Sequence, residues 1–215
     1  MIKSIIFDLD GTLTNTLSDL CNSVNFALRS MGWRERSLDE VRRFVGNGVR
    51  RLIRRAVPEN TSEVYYEKCF SFFRQHYLLH CQDNTCLYPG VGEMLQEVHA
   101  RGFKTAIVSN KLQAGVDELY ESFFRGVIDV AVGQREGVAL KPASDMVEIA
   151  LKQLGTSKEE TIYVGDSEVD ALTAHNASLP FVAVLWGFRD REQIVEAGAT
   201  RFISHPKELL SIINN

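Results

Sequence analysis

Two aspartates near the amino terminus are the first residues whose type and spacing indicate chemistry. Asp8 and Asp10 follow a short apolar run, and the side-chain period of two along a strand places both on the same side. Aspartate is disfavoured in strands, so two of them after a buried run indicate a functional position. The alternative is a turn or a helix cap, because Asp10-Gly11 is also a common turn pair.

Polar side chains follow three further apolar runs in the same way. Ligands bind outside the carboxyl ends of the strands in open parallel sheets, so these side chains are expected to meet at one edge. Each has an ordinary explanation by itself, as a turn residue, a solvated charge or a helix start, but their joint placement predicts a site. In chain order they are Ser109, Asn110, Lys141, Asp166 and Asp170.

Such a set of residues is suited to phosphoryl transfer. Crowded carboxylates repel one another, which argues for a compensating cation, and oxygen ligands suit Mg²⁺. A carboxylate that attacks a phosphate meets the same repulsion, so the metal and Lys141 would neutralise the phosphoryl oxygens. Ser109 would donate to another of these oxygens, and Gly11 would let backbone N–H groups approach. Asp8 would be the nucleophile, and Asp10 would protonate the leaving alkoxide and then activate water.

Short β-branched runs alternate with helical stretches along the chain. This alternation predicts an α/β fold with a Rossmann-like, doubly wound parallel sheet and helices on both faces. The nearly unbroken apolar character of the runs suits strands that are buried on both sides. The runs cover residues 2–7, 103–108, 127–132, 161–164, 181–185 and 201–204.

A long segment between the first two runs has no convincing strand, and its apolar residues fall at helical spacing. We therefore expect a small helical cap domain over residues 16–82, inserted into a core domain of residues 1–15 and 83–215. Ser37, with Glu40 three residues on, has the pattern of a capping box. The apolar side of the fourth cap helix is expected to carry Tyr65, Cys69, Phe72, Phe73 and His76.

The order of these groups resembles the signature of the haloacid dehalogenase superfamily. The signature consists of Asp-x-Asp-Gly-Thr at residues 8–12, a serine at the second strand, a lysine, and Gly-Asp-x-x-x-Asp at residues 165–170. Helical caps placed between the first two motifs are typical of the branch that acts on small molecules. One departure is Asn15 at the expected core-to-cap hinge, where the family often has aspartate.

The resemblance implies roles beyond those that the residue types indicate. It implies that Mg²⁺ is bound by the Asp8 carboxylate, the Asp10 backbone carbonyl and Asp166, with Asp170 supporting the metal site. It also keeps Asp8 as nucleophile and Asp10 as acid and base. The residues that it implies for phosphate binding are Gly11, Thr12 and Asn110.

Three segments are similar, more narrowly, to the phosphoglycolate phosphatases of that superfamily, which implies 2-phosphoglycolate as the substrate. The glycine-rich loop Gly46-Asn47-Gly48 would reach down to the substrate, with Arg50 or Arg51 available to pair with its carboxylate. The alternative is that the glycines begin a helix and the arginines are solvated. The three segments are residues 44–48, 87–91 and 109–111.

Other functions stay open on the same residues. A phosphomutase resembling β-phosphoglucomutase would use this scaffold, as would a pyrophosphatase, a nucleotidase or a sugar-phosphate phosphatase. Thr12 and the glycine-rich cap loop favour a phosphatase over a mutase. A phosphoaspartate receiver module of the signalling type also combines acids, a hydroxyl and a lysine, but such modules are shorter and lack a cap.

The overall composition limits the partners. The 24 Lys and Arg against 28 Asp and Glu give a net charge of −4, so no general attraction to nucleic acid or to anionic membranes is expected. No window approaches an uncharged membrane-spanning length, and the first residues lack the form of a signal peptide, so a cytoplasmic protein is expected. The four cysteines lack zinc-ligand spacing and are expected to be free thiols. The expected partner is a small phosphate ester, bound by a monomer or a homodimer.

Overall fold

The computed structural model describes residues 1–213 of the chain. Its strands alternate with helices, as the apolar runs predicted. The strands are β1 (Ser4–Phe7), β2 (Thr14–Asn15), β3 (Cys86–Leu87), β4 (Lys104–Leu112), β5 (Val130–Gln134), β6 (Thr161–Gly165), β7 (Phe181–Val184) and β8 (Phe202–Ile203). The helices are α1 (Leu17–Ser30), α2 (Leu38–Phe44), α3 (Val49–Ala56), α4 (Glu63–His80), α5 (Val91–Ala100), α6 (Gln113–Leu119), α7 (Asp145–Leu154), α8 (Glu168–Ala177), α9 (Arg191–Glu196) and α10 (Glu208–Ile213).

A six-stranded parallel sheet forms the centre of the core, in the order β5-β4-β1-β6-β7-β8. Strand β1 lies between β4 and β6, with Phe7 in register with Ile107 on one side and Val164 on the other. The chain therefore reverses its strand order beside β1, which is where open sheets of this kind bind ligands. The predicted doubly wound α/β fold is confirmed.

Both faces of the sheet are covered, which explains the unbroken apolar runs. Ile5 and Phe7 pack on one face in a cluster that includes side chains of α5 and α10, whereas Ile6 packs on the other face with α7 and α8. All three are fully buried. Burial of one such side chain stabilises the fold by about 1.5–3 kcal/mol, so the apolar residues of the strand contribute to stability on both faces.

The four helices between β2 and β3 share an apolar cluster separate from those of the sheet, and Phe188 of the core joins it. The predicted capping box of α2 is confirmed: Glu40 N donates to Ser37 Oγ (3.2 Å), and Ser37 N donates to a Glu40 carboxylate oxygen (2.7 Å). A separate cluster is what an inserted cap domain requires. The division at residues 15/16 and 82/83 stays a prediction.

The expected buried side of α4 is wrong in part. Tyr65 is 57% exposed, while Tyr66, Phe70 and Tyr77 are buried together with the expected Cys69 and Phe73. Because aromatic residues occur around most of this helix, the sequence pattern does not fix which side packs. The contacts that α4 makes with α1 and α3 decide it.

Two features of the strands extend beyond the predicted elements. Strand β4 continues past the expected end at Val108 to Leu112, although its pairing with β5 is irregular between these two residues. Strands β2 and β3 form a two-stranded antiparallel ribbon where the chain leaves and re-enters the core.

The four cysteines are free thiols, as expected. None of the helices within residues 1–213 is long and apolar enough to cross a membrane.

Candidate active site

Three aspartates meet at the carboxyl ends of β1 and β6. Asp8, Asp166 and Asp170 each offer a carboxylate oxygen, and these oxygens lie within 4.8 Å of one another. All three residues are buried. Burial raises the pKa of Asp8 well above its ordinary value, with the Asp170 carboxylate adding to the effect and Lys141 only partly offsetting it. The predicted convergence of acids from separate strand ends is therefore present in the structure.

Lys141 lies between two of these acids. Its ammonium nitrogen donates to Asp8 Oδ1 (2.6 Å), to Asp170 Oδ1 (2.7 Å) and to the Tyr163 hydroxyl (3.2 Å), which accounts for its three hydrogens. Burial disfavours the charged ammonium, but Asp170 and Asp8 more than compensate, so the pKa of Lys141 is raised. Lys141 is thus a fixed positive charge in contact with the Asp8 carboxylate.

Asp170 is held by the start of α8. Ser167 and Asp170 form a reciprocal capping box, in which Asp170 Oδ2 accepts from Ser167 N (3.1 Å) and Ser167 Oγ (2.6 Å). Its other oxygen accepts from Lys141 and Tyr163. Both oxygens of Asp170 therefore already accept hydrogen bonds within the protein. Through its contact with Lys141, Asp170 holds the lysine ammonium beside Asp8.

Asp166 packs closely against two glycines, Gly11 and Gly187. A Cβ on Gly11 would be 2.3 Å from Asp166 Oδ2, and one on Gly187 would be 2.3 Å from Asp166 Cβ. The amide of Phe188 donates to Asp166 Oδ2 at 2.6 Å. Burial and the Asp170 carboxylate raise the pKa of Asp166 to about 7, although the Phe188 amide opposes the shift. Thr12 Oγ1 lies 3.5 Å from carboxylate oxygens of Asp8 and Asp166.

Asp10 contacts a second buried lysine. Lys111 Nζ lies 3.0 Å from Asp10 Oδ1 and donates to the hydroxyl of Tyr77, which belongs to α4 of the cap. The Lys111 side chain is 1% exposed and that of Asp10 is 15% exposed. The two aspartates of the first motif therefore each contact a buried lysine: Asp8 contacts Lys141, and Asp10 contacts Lys111.

Asn110 connects the cap loop to the lysine loop. Its amide nitrogen donates to the carbonyl oxygens of Gly46 and Lys141, both at 3.1 Å, and its side-chain oxygen accepts from Lys141 N at 2.8 Å. Both amide hydrogens are thereby engaged within the protein. The neighbouring Ser109 Oγ accepts from Lys111 N (3.2 Å), and its hydroxyl hydrogen has no acceptor among residues 1–213. The serine is therefore the better placed of the two to donate to a ligand.

A small cavity lies between these side chains and the cap. It has about 50 Å³ of space for the centres of water molecules, which corresponds to roughly 3–5 waters. Its apolar lining comes mainly from the cap, and its polar lining comes from the strand ends. The predicted site residues that line it are Asp8, Asp10, Gly46, Gly48, Ser109, Asn110, Lys141 and Asp166.

Other predicted binding residues lie elsewhere. Arg50 is paired with Glu67 on the outside of the cap, with its guanidinium over the Phe70 ring, and it does not line the cavity. The Asn47 side chain accepts a hydrogen bond from Arg55 instead of facing the cavity. The roles predicted for Arg50 and Asn47 in substrate binding stay predictions, and no contact in this structure supports them.

Arg189 closes the cap against the core from the loop after β7. It donates to Glu168 (2.9 Å), to the Arg42 carbonyl (3.0 Å) and to the Val45 carbonyl, so it occupies backbone acceptors at the end of α2. Arg42 donates in return to the Phe188 carbonyl at 2.8 Å. This reciprocal pair was not anticipated from the sequence.

Arg189→Met is expected to loosen the cap. The Arg189 side chain is 5% exposed, so removal leaves buried carbonyls without donors and should destabilise the closed arrangement by about 1.5–3 kcal/mol. Hydrogen exchange of the α2 amides should become faster than in the parent protein. Arg34→Met, an exposed cap arginine, is the matched control. Unchanged exchange in the Arg189 variant would contradict a role in cap closure.

The chain matches the family model for haloacid dehalogenase-like hydrolases over residues 5–184. The chain belongs to the haloacid dehalogenase-like hydrolase family. The resemblance predicted from the sequence is confirmed, and with it the expectation of an enzyme. The family model covers the strand ends that carry Asp8, Ser109, Lys141 and Asp166.

Its relatives extend the match over almost the whole chain. It is 30% identical to a phosphoglycolate phosphatase of Aquifex aeolicus, over 100% of this chain and 98% of that protein. It is 34% identical to one of Cereibacter sphaeroides, over 87% of each. A crystal structure of a Lactobacillus delbrueckii subsp. bulgaricus protein superposes with a TM-score of 0.93 at 31% identity, covering 98% of both chains. By this kinship the protein is a phosphatase of the haloacid dehalogenase family.

Proposed function

We propose that this phosphatase hydrolyses a small phosphomonoester, 2-phosphoglycolate, with Mg²⁺ and through a phosphoaspartate on Asp8. One observation carries the proposal: Asp8 lines a small cavity together with Asp10, Lys141 and Asp166, and it contacts Lys141 directly. A nucleophile, a fixed cation and a second acid are thereby brought together in one small space. The cavity is too small for a macromolecular substrate in this closed arrangement.

The buried acids fit a magnesium ion. They are oxygen donors only, they lie within 4.8 Å of one another, and burial of uncompensated negative charge raises the pKa values of Asp8 and Asp166. Asp8 and Asp166 would hold the ion together with the Asp10 backbone carbonyl, and Asp170 would support the site. When bound, the ion supplies neutralising charge for the phosphoryl oxygens and for the acids around them.

The residues of the chain would then act in two steps. In the first, a carboxylate oxygen of Asp8 bonds to phosphorus as the ester P–O bond breaks, and Asp10 gives its proton to the leaving oxygen. In the second, Asp10 takes a proton from water, the water oxygen bonds to phosphorus, and the bond to Asp8 breaks to release inorganic phosphate. Lys141 would neutralise the charge of the phosphoryl oxygens, and the Ser109 hydroxyl would donate to one of them.

The substrate assignment rests on cavity size and on kinship. Space for a few waters suits a phosphate ester with a very short organic part, and the two curated relatives described above are phosphoglycolate phosphatases. Closure of the cap over the site would exclude bulk water from the reacting groups. A small phosphate ester is thus the proposed partner. The cytoplasmic location and the choice between monomer and homodimer stay predictions.

A phosphate-release screen tests the proposal. Purified protein is incubated with a panel of phosphometabolites, with Mg²⁺ and with EDTA, and free phosphate is measured. We expect turnover of 2-phosphoglycolate to exceed that of sugar phosphates, nucleotides and pyrophosphate, and to vanish in EDTA. Turnover that requires a bisphosphate primer would indicate a mutase, and a stable phosphoprotein without release would indicate a receiver module.

Magnesium should stabilise the protein in a pH-dependent manner. Without metal, folded Asp166 keeps its proton up to about pH 7, whereas the unfolded group loses it near its ordinary value of 3.8. The stability of the metal-free protein should therefore fall as pH rises between these values. Mg²⁺ requires the ionised acid, so the increase in Tm on adding Mg²⁺ should be small at pH 5 and largest above about pH 7.

Thermal melts in Mg²⁺ and in EDTA between pH 5 and 8 measure this difference directly. Asp166→Asn is the control, because it removes the titrating ligand and should abolish most of the increase at every pH. An increase in Tm that is equal at pH 5 and pH 8 would contradict the assignment of the acid cluster as the metal site.

A further inference from the structure

The cavity contains a buried cation that the chemistry proposed above does not use. Lys111 is fully enclosed, lines the cavity, and contacts Asp10 and Tyr77. Its ammonium has three hydrogens, and these two partners account for two of them within residues 1–213. The third is left for an acceptor in the cavity. The charge of Lys111 is paired with Asp10, but a buried N–H donor without an acceptor is unfavourable, so the third hydrogen favours an acceptor in the cavity.

The positions of the two lysines divide the cavity. Lys141 contacts Asp8, where the phosphoryl group would be transferred, whereas Lys111 contacts Asp10, which would protonate the leaving oxygen. A proton donor must lie about 2.6–3.2 Å from the oxygen that it protonates. Lys111 Nζ is itself 3.0 Å from Asp10 Oδ1. The ammonium would therefore lie within about 6 Å of the leaving oxygen, close enough to contact a group on the neighbouring carbon.

The rest of the cavity offers little polarity to that organic part. Most side chains that the cap contributes to the lining are apolar, and three N–H groups of Arg189, one on each guanidinium nitrogen, bind Glu168 and two carbonyls. Arg50, the other candidate for an anionic substrate group, is engaged with Glu67 outside the cavity. The apolar lining consists of Leu20, Val45, Val49, Leu52 and Phe188.

We propose that Lys111 is a specificity-determining residue that binds a carboxylate on the leaving group of the substrate. The substrate class that follows is a short phosphate ester whose alcohol carries a carboxylate on the neighbouring carbon. Tyr77 anchors the ammonium from the cap, so the carboxylate site is complete only when the cap is closed. This inference rests on the proposed function, because the assignment of Asp10 locates the leaving group.

Binding to a protein that cannot react tests the inference separately from turnover. In an Asp8→Asn background with Mg²⁺, calorimetry compares 2-phosphoglycolate with 2-hydroxyethyl phosphate, in which an alcohol replaces the carboxylate. Adding Lys111→Met should weaken the affinity for 2-phosphoglycolate by about 10- to 100-fold, as expected for loss of one charge-assisted hydrogen bond. The affinity for 2-hydroxyethyl phosphate should fall by less than about threefold. Lys152→Met, an exposed lysine of α7, is the matched control and should change neither affinity.

Several outcomes would overturn the inference. Equal weakening of both ligands would show that Lys111 acts through Asp10, and unchanged affinities would show no role. A background protein that fails to prefer 2-phosphoglycolate would exclude the carboxylate site itself. If Lys111→Met does not fold by circular dichroism, Lys111→Gln keeps hydrogen-bond donors without the charge and should show the same selective loss. A wild-type protein that binds 2-phosphoglycolate selectively but releases no phosphate would refute the proposed function alone.

Discussion

Asp8→Asn is expected to abolish phosphate release, lowering kcat by at least about 10⁴-fold, because an amide cannot form the phosphoaspartate. The fold should survive. The amide keeps an oxygen that accepts from Lys141, and it removes a buried carboxylate whose pKa is raised by burial and by Asp170. The melting temperature of the metal-free protein should accordingly be equal to or higher than that of the parent.

Phosphate release from 2-phosphoglycolate and thermal melting measure the two effects in the same preparation. Asp145→Asn, an exposed aspartate at the start of α7, is the control for a generic loss of one carboxylate and should retain full activity. Turnover of the Asp8 variant within about tenfold of the parent is too large for loss of a covalent nucleophile and would exclude this role for Asp8.

Asp10→Asn is expected to lower kcat for 2-phosphoglycolate by about 10²- to 10⁴-fold, since a single group serves as acid in the first step and as base in the second. The loss should depend on the leaving group. An activated aryl phosphate leaves without a proton, so only its second step should slow. Phosphoenzyme should then accumulate, which gives a rapid burst of phenol equal to the enzyme concentration.

Stopped-flow absorbance with p-nitrophenyl phosphate measures the burst, and acid quenching with labelled substrate measures the trapped phosphoenzyme. The Asp10→Asn substitution also removes the charged partner of Lys111, so two changes contribute to its effect on the rate. Asp10→Glu separates the effects, since it keeps the charge but displaces the acid, and it should stay slow. A burst in the parent but not in Asp10→Asn would place the role of Asp10 before phosphoryl transfer only.

The reacting end of the site was predictable because Asp8, Ser109 and Asp166 each come directly after a buried apolar run of the sequence. Asp8 and Asp166 follow β1 and β6, which are hydrogen-bonded neighbours, so the chain pattern and the sheet geometry bring them together. Ser109 lies on β4 at the other side of β1. The apolar runs and the rule that ligands bind at the carboxyl ends of strands indicated this half of the site, and the strand order of the structure places the residues side by side.

The cap side was not predictable in the same way. Tyr77 belongs to a helix with aromatic residues around most of its circumference, so packing against α1 and α3 decides which ones face the core. Arg189 precedes the capping residue Asp190 and therefore looks like a solvated loop charge. Its burial depends on meeting carbonyls about 145 positions earlier in the chain. Lys111 ends the segment 109–111 that is similar to phosphoglycolate phosphatases, but its contact with Tyr77 exists only through the docked cap.

The short β2–β3 ribbon has a consequence for how enzymes on this scaffold change substrates. The two connections between core and insert pass side by side as paired strands, with Asn15 opposite Cys86 and Thr14 opposite Leu87. Paired strands lie roughly 5 Å apart, so any inserted segment whose ends meet at that spacing can be accommodated. Inserts of different length or architecture can therefore be exchanged at this junction while Asp8 and Lys141 keep their positions. The surface that the cap presents to a substrate can thereby change while the acids of the core stay in place.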